Sequence, residues 1–223
     1  MAAGCTNQPA AEQALATLCE KYWFPLYAYV RRRVKDSSEA QDLTQEFFAR
    51  LLEKDILASA APDRGRFRSF LLTAMKNFLA NDWRQARAQK RGGQRRELSL
   101  DFAAGDSRYS LEPGHDLTPE RLYERKWVMT LLDRVLDRLR AQYVAESHLA
   151  DFDLLRPFIG GNRAEASYAE VAKELNLSEG AAKVAAHRLR KRYRNLLRSE
   201  LAQTVADPAD IDDEISWLFR ALG

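Results

Sequence analysis

The chain has 223 residues, 46% hydrophobic and 30% charged, enough apolar material for one or two packed domains, which excludes a fully disordered polymer. Ala, Leu, Arg and Glu dominate over ten glycines and seven prolines, so a mostly helical fold is expected. With 35 basic against 32 acidic residues the net charge is only +3, and any attraction to a polyanion has to come from local clustering rather than from the total.

After a loose start, a helical period sets in at Glu12, with Leu15, Leu18, Cys19, Tyr22, Trp23 and Leu26 as its stripe. Pro25 interrupts it, and Tyr27, Val30 and Val34 continue the apolar side. The Asp36, Ser37, Ser38 cluster reads as a turn and helix start. The second helix is predicted over 38–54, with Leu43, Phe47, Leu51 and Leu52 facing inward and Asp42, Gln45, Glu46 and Ala49 on another face. Residues 58–65 read as a loop. The third helix is predicted over 67–90, with Phe67, Phe70, Leu71, Ala74 and Phe78 on its core side. On that helix Lys76, Ala80, Arg84, Arg87 and Arg91 recur at steps of three or four, so the positive charges form one stripe.

Residues 92–117 carry glycine, proline, serine and aspartate without a sustained period and read as a linker, although Leu98, Leu100 and Phe102 could dock. Thr118, Pro119 and Glu120 then read as N-cap, first-turn proline and first-turn acid of a long helix ending near Ala145. A short helix is predicted over 149–159. Ser167 to Glu170 fits a capping box for the next short helix. Asn176, Leu177 and Ser178 form a tight turn, and Ser178 caps a helix whose apolar side is Ala185, Leu189, Tyr193 and Leu196. The tail beyond residue 204 starts a helix with Asp212, Asp213 and Glu214 and continues it with an apolar stripe of Ile215, Leu218, Phe219 and Leu222, with Trp217 beside it.

Two stretches, 84–96 and 181–199, contain several Lys and Arg and no acid, which points to two separate contacts with a polyanion. A short helix, a brief turn and a basic second helix form the pattern of a helix-turn-helix, whose second helix enters the DNA major groove. Lys183, His187, Arg188, Lys191 and Arg194 are its candidate contacts, with Ser178 at its start. The stripe through Lys76 and Arg84 has Trp83 close by, and cations beside an aromatic suit single-stranded nucleic acid. The acidic face of Asp42, Gln45 and Glu46 is either a solvated helix face or a docking face for a basic partner.

Enzyme signatures are missing: no P-loop, dinucleotide fingerprint or nucleophile elbow occurs. Cys5, Cys19, His115, His148 and His187 lie at no metal-ligand spacing, so neither metal nor cofactor is expected. No apolar run reaches membrane-spanning length and no signal-peptide pattern opens the chain, which predicts a reduced cytoplasmic protein with no membrane association.

Residues 39–48 (EAQDLTQEFF) resemble the polymerase-binding helix, region 2.2, of bacterial sigma factors. Residues 67–84 (FRSFLLTAMKNFLANDWR) resemble regions 2.3 and 2.4, and residues 168–193 (YAEVAKELNLSEGAAKVAAHRLRKRY) resemble region 4.2, in the right order with the linker between. The chain is thereby identified as a member of the sigma-70 superfamily, of the small extracytoplasmic-function group. The resemblance implies an all-α protein: region 2 over 12–93, a flexible linker over 94–117, region 4 with its helix-turn-helix over 118–203 and an extension over 204–223.

It further implies that Asp42, Gln45 and Glu46 grip the β′ clamp of core RNA polymerase, with the β flap as a second polymerase contact. Residues 58–66, Arg66 among them, and the helix carrying Lys76, Asn77, Asn81, Trp83, Arg84 and Arg87 would recognise the promoter −10 element, flip a base and hold the strand open. Ser178, Lys183, His187, Arg188, Lys191 and Arg194 would read the −35 element, and the linker would thread toward the polymerase active-site channel.

Departures from the family pattern suggest regulation. Ala40 and Gln41 interrupt the usual acidic run, so a Ser/Thr kinase acting near Ser37, Ser38 or Thr44 could supply the missing charge; an anti-sigma factor is a further candidate partner. The long tail reads as a helix completing the second domain's core, or as a regulatory element whose acids cover a basic DNA-binding face. The competing readings are a helix-turn-helix regulator that works without polymerase docking, and a helical adaptor that binds only protein.

Overall fold

The computed structural model describes residues 8–34, 36–53, 66–86, 100–110, 117–160, 167–205 and 207–222. Among these the fold is all-α, as expected: α1 Gln8–Arg33, α2 Ser37–Glu53, α3 Phe67–Ala86, α4 Phe102–Ser110, α5 Pro119–Ala145, α6 Leu149–Leu155, α7 Tyr168–Glu174, α8 Glu179–Ala202 and α9 Ile211–Leu222. They form two compact units, Met1–Thr130 with Thr204–Gly223, and Leu131–Gln203; α5 supplies residues to both.

The first unit is organised around α1. Every residue from Phe24 to Val30 is buried, Pro25 included, so this stretch is enclosed on all sides. The expected break at Pro25 does not occur, and the helix runs through it. An internal proline costs about 3 kcal/mol in an isolated helix, and burial of the aromatic and aliphatic neighbours on all sides offsets it here. Helix α2 begins where the Asp36 carboxylate accepts from the Ser38 amide at 3.1 Å. It buries Leu43, Phe47, Phe48 and Leu51. Phe47 meets Phe78 of α3 edge-on at 5.7 Å, an arrangement aromatic rings favour.

The expected linker contains a docked helix. Phe102 of α4 packs edge-on against Trp23 and Tyr27 of α1 at 5.8 and 5.6 Å. The Tyr27 hydroxyl donates to the Asp106 carboxylate at 2.9 Å, and Arg31 Nε donates to the same oxygen at 3.2 Å. Gly105 permits this approach, since a Cβ there would lie 2.8 Å from the Trp23 ring. Gly105→Ala is therefore expected to loosen α4 despite the better helix propensity of alanine, with a net cost of about 1–2 kcal/mol. Hydrogen exchange checks this: α4 amides should exchange faster while α8 amides do not change, and unchanged α4 protection would mean that the Trp23 ring yields.

The tail is the larger correction. It does not complete the core of the second unit; it belongs to the first. Ile211, Glu214 and Leu218 of α9 are buried, Trp217 packs 6.1 Å from Trp127 of α5, and the Phe67 amide donates to the Thr204 carbonyl at 3.4 Å. The units thus depart from the expected 118–203 and 204–223 segments, with the start of α5 and the tail both joining α1–α4.

The second unit closes its core with Leu139 and Tyr143 of α5, Phe152 and Leu155 of α6, Phe158 of the 3-10 turn Arg156–Phe158, Val171 of α7, and Ala186 and Leu189 of α8. Ser167 and Glu170 form the expected capping box at the start of α7. Between α7 and α8, Asn176 adopts φ 52, a left-handed conformation asparagine tolerates, and the Leu177 amide donates to the Ala172 carbonyl at 2.8 Å. The Ser178 hydroxyl then accepts from the Ala181 amide at 3.2 Å and starts α8.

Candidate polymerase-docking and nucleic-acid surfaces

The inward stripe of α2 leaves Asp42 exposed and Gln45 and Glu46 half-buried on its other face. Glu46 pairs with Arg50 one turn on at 2.5 Å, and the Arg50 guanidinium lies over the Phe78 ring. A surface pair of this kind contributes only about 0.3–0.5 kcal/mol. Ala40 is fully buried, so a carboxylate at that position would have to leave water. Thr44 is also fully buried, and its hydroxyl donates to the Ala40 carbonyl at 2.7 Å. The expectation that Thr44 could take a phosphate is therefore corrected, because its oxygen is enclosed and already bonded. Ser38 is exposed and Ser37 is half-buried.

Between α2 and α3 lies a groove of about 320 Å³. Phe47, Phe70, Ala74 and Phe78 make its apolar floor, and Arg50, Thr73, Asn77 and Asn81 give it polar edges. Asn77 and Asn81 are exposed, one turn apart, so their amides can donate and accept at the rim. A flat heterocycle fits such a lining, with apolar walls for its faces and amides for its edge.

Lys76 faces away from this groove. Its ammonium pairs with Glu120 of α5 at 2.9 Å, and Arg33 lies 3.6 Å from the same carboxylate. The Lys76 hydrogen bond holds the Glu120 carboxyl below its ordinary range, so the lysine's charge is already engaged within the unit. Arg66 precedes α3 and pairs with Glu214 of α9, Nε to Oε2, at 2.7 Å. Trp83 and Arg84 lie on the last turns of α3, with nothing described for their side chains; Arg87, and residues 58–65 of the expected −10 contact, lie outside the described residues.

Sequence reasoning missed Arg68 and Glu214. Arg68 is 4% exposed, pairs with the fully buried Glu214, and is sandwiched by Trp217 and Trp127 at 3.7 and 4.8 Å. The Tyr123 hydroxyl donates to the Arg68 carbonyl at 2.9 Å. The signal for this cluster was weak: an arginine within an aromatic-rich apolar stripe, and an acid in a first helical turn that also serves the helix dipole.

In the second unit, His187, Arg188, Lys191 and Arg194 of α8 are all exposed, as are Ser178 and Lys183. Lys183 pairs with Glu179 at 2.6 Å on the same surface, and Ser178 is occupied as the cap. Arg192, by contrast, holds Glu146 through two hydrogen bonds of 2.9 and 2.8 Å and tethers α8 within its own unit. Val184 and Leu177 are large apolar side chains left 49% and 44% exposed near the start of the basic face.

Among the described residues no group of His, Cys, Asp or Glu is placed to hold a metal, and no helix is long and apolar enough to cross a membrane. Burial pushes the Cys19 thiol up to about 11, so it is protonated and inert.

No curated protein and no solved structure matches the chain. Residues 18–89, which span the core of α1, all of α2 and all of α3, match the family model of sigma-70 region 2. The acid-bearing α2 face and the grooved α3 face thus both lie in the segment, about a third of the chain, that is similar to sigma-70 region 2.

Proposed function

We propose that the chain is an extracytoplasmic-function sigma factor acting in the cytoplasm, not an enzyme, with its two units dividing the promoter between them. In this reading Asp42, Gln45 and Glu46 of α2 dock on the β′ clamp. The groove with Asn77 and Asn81, together with Arg66, Lys76, Trp83, Arg84 and Arg87, handles the −10 element. The pair α7–α8 is a helix-turn-helix that reads the −35 element through Lys183, His187, Arg188, Lys191 and Arg194, with Ser178 at the helix start and the β flap beneath the unit.

The observation that carries the reading lies inside the matched segment: one helix pair presents an acid-bearing outer face and, beside it, an apolar groove edged by exposed asparagines. Lys76 is the weakest member of the set, because part of its charge is already balanced by Glu120. A Ser/Thr kinase, if one controls docking, would reach Ser38 rather than Thr44. A phosphate on Ser38 would sit at the start of α2, where the helix dipole favours negative charge. An anti-sigma factor would compete for the same α2 and groove surfaces.

The test is to combine the protein with core polymerase and genomic DNA fragments and to map permanganate-reactive thymines. The expected result is unpaired thymines upstream of new transcript starts, only when both protein and core are present. Salt-sensitive duplex binding by the protein alone, without core-dependent melting, would instead make it a helix-turn-helix regulator. No retardation of DNA at any salt would make it a protein-binding adaptor.

A further inference from the structure

The tail brings a buried carboxylate to Arg66, a predicted promoter contact just before α3. Glu214 is fully buried in the first turn of α9 and touches two guanidiniums: Oε1 meets Arg68 Nη1, and Oε2 meets Arg66 Nε. The two cations differ sharply. Arg68 is enclosed between Trp127 and Trp217, whereas the side chain of Arg66 is 38% exposed. One carboxylate between two guanidiniums leaves a net positive charge, and the exposed member is where it reaches the surface. Because Arg66 is held through Nε, the edge formed by its terminal nitrogens is left to grip a phosphate in two-fold fashion.

The backbone at this corner is held by the same segment, through the hydrogen bond from the Phe67 amide to the Thr204 carbonyl. A long flexible side chain at an exposed site loses rotamer entropy on binding, and a partner that fixes it beforehand reduces that loss. Ile211 and Leu218 anchor α9 in the unit, so the carboxylate is a built-in support rather than a loose strap.

We propose that Glu214 is a positioning residue that holds the Arg66 guanidinium in place to bind the phosphate backbone of the melted promoter strand. This rests on the reading of Arg66 as a −10 contact.

The experiment uses holoenzyme assembled from core polymerase and the full chain, and a fluorescein-labelled single-stranded DNA copied from a promoter melted in the preceding test. Glu214→Gln alone strands the buried Arg68 charge and can unfold the corner. The informative variant is therefore the double substitution Arg68→Met with Glu214→Gln, which removes the buried charges together. The proposal expects this double variant to remain folded and to bind core, but to lose affinity for the strand about tenfold. The slope of log affinity against log salt should fall by about 0.7, the value for one phosphate contact on a single strand. Adding Arg66→Ala to that background should cost little more, although Arg66→Ala alone costs about tenfold.

If the double variant binds the strand like the parent, and Arg66→Ala costs the same in both backgrounds, Glu214 is only structural and the proposal fails. Tighter strand binding by the double variant would overturn it in the other direction, making the tail a mask. If Arg66→Ala alone costs nothing while core binding and melting persist, the assignment of Arg66 as a promoter contact is what fails, and the positioning role goes with it.

Discussion

Trp217→Ala is expected to destabilise the first unit by about 3 kcal/mol, the low end for loss of a tryptophan because the ring is only partly buried. Two losses combine. The ring covers the Arg68 guanidinium at 3.7 Å, a desolvated cation–π contact that contributes about 2 kcal/mol in such settings. It also packs on Trp127, so its removal opens a cavity beside a buried ion pair and lets water reach Glu214. Each kcal/mol shifts a midpoint by roughly 2–4 °C in a unit of this size, so a fall of about 10 °C is predicted. Phe219→Ala, two residues away at 68% exposure, is the control and should change stability by no more than about 0.5 kcal/mol. Hydrogen exchange localises the effect: the start of α3 and the first half of α5 should lose protection, while α7 and α8 do not. Loss of protection in α8 instead, with α3 unaffected, would mean that the tail supports the second unit.

The helices were largely legible from period and caps. The capping box at Ser167, the cap at Ser178 and the acid-proline start at Pro119 each act within a few residues, so local sequence is sufficient to place them. Pro25 misleads for the opposite reason. Its local cost is real, and only burial of the surrounding turns, which no local rule sees, keeps α1 intact. Gly105 is the clearest case of one residue carrying two meanings. In a stretch with other glycines and a proline it reads as linker, whereas its missing Cβ is what lets α4 approach Trp23.

The tail's amphipathic stripe was legible, but its destination was not. An apolar face says that a helix packs, not against what, and Trp127 and Trp217 are 90 residues apart by their numbers. The same limit hid the Arg68–Glu214 pair. Exposure along α2 and α8, by contrast, follows the helical period closely enough that Asp42 of α2 and His187, Arg188, Lys191 and Arg194 of α8 fall on open surfaces. Lys76 was placed on the right helix, but the cross-helix carboxylate of Glu120 that engages it was not foreseeable from the α3 pattern.

The second large effect concerns docking. Asp42 and Glu46 lie one turn apart on α2, away from its buried stripe, and their joint replacement by alanine removes two negative charges without opening a cavity. Loss of the Glu46–Arg50 pair itself costs only about 0.3–0.5 kcal/mol, and the helicity of the variant is the check that the fold persists. A charged pair lost from a desolvated interface costs about 2–5 kcal/mol per partner, so affinity for core polymerase should fall at least about a hundredfold. The most direct measurement of the central claim is therefore co-elution of the protein with core RNA polymerase by size-exclusion chromatography, alongside the variant carrying Asp42→Ala and Glu46→Ala, with circular dichroism to verify its helicity. The prediction is a stable complex with the parent and none with the equally helical variant. Co-elution of both would place the docking face elsewhere, and failure of the parent to bind core at all would contradict the sigma-factor account.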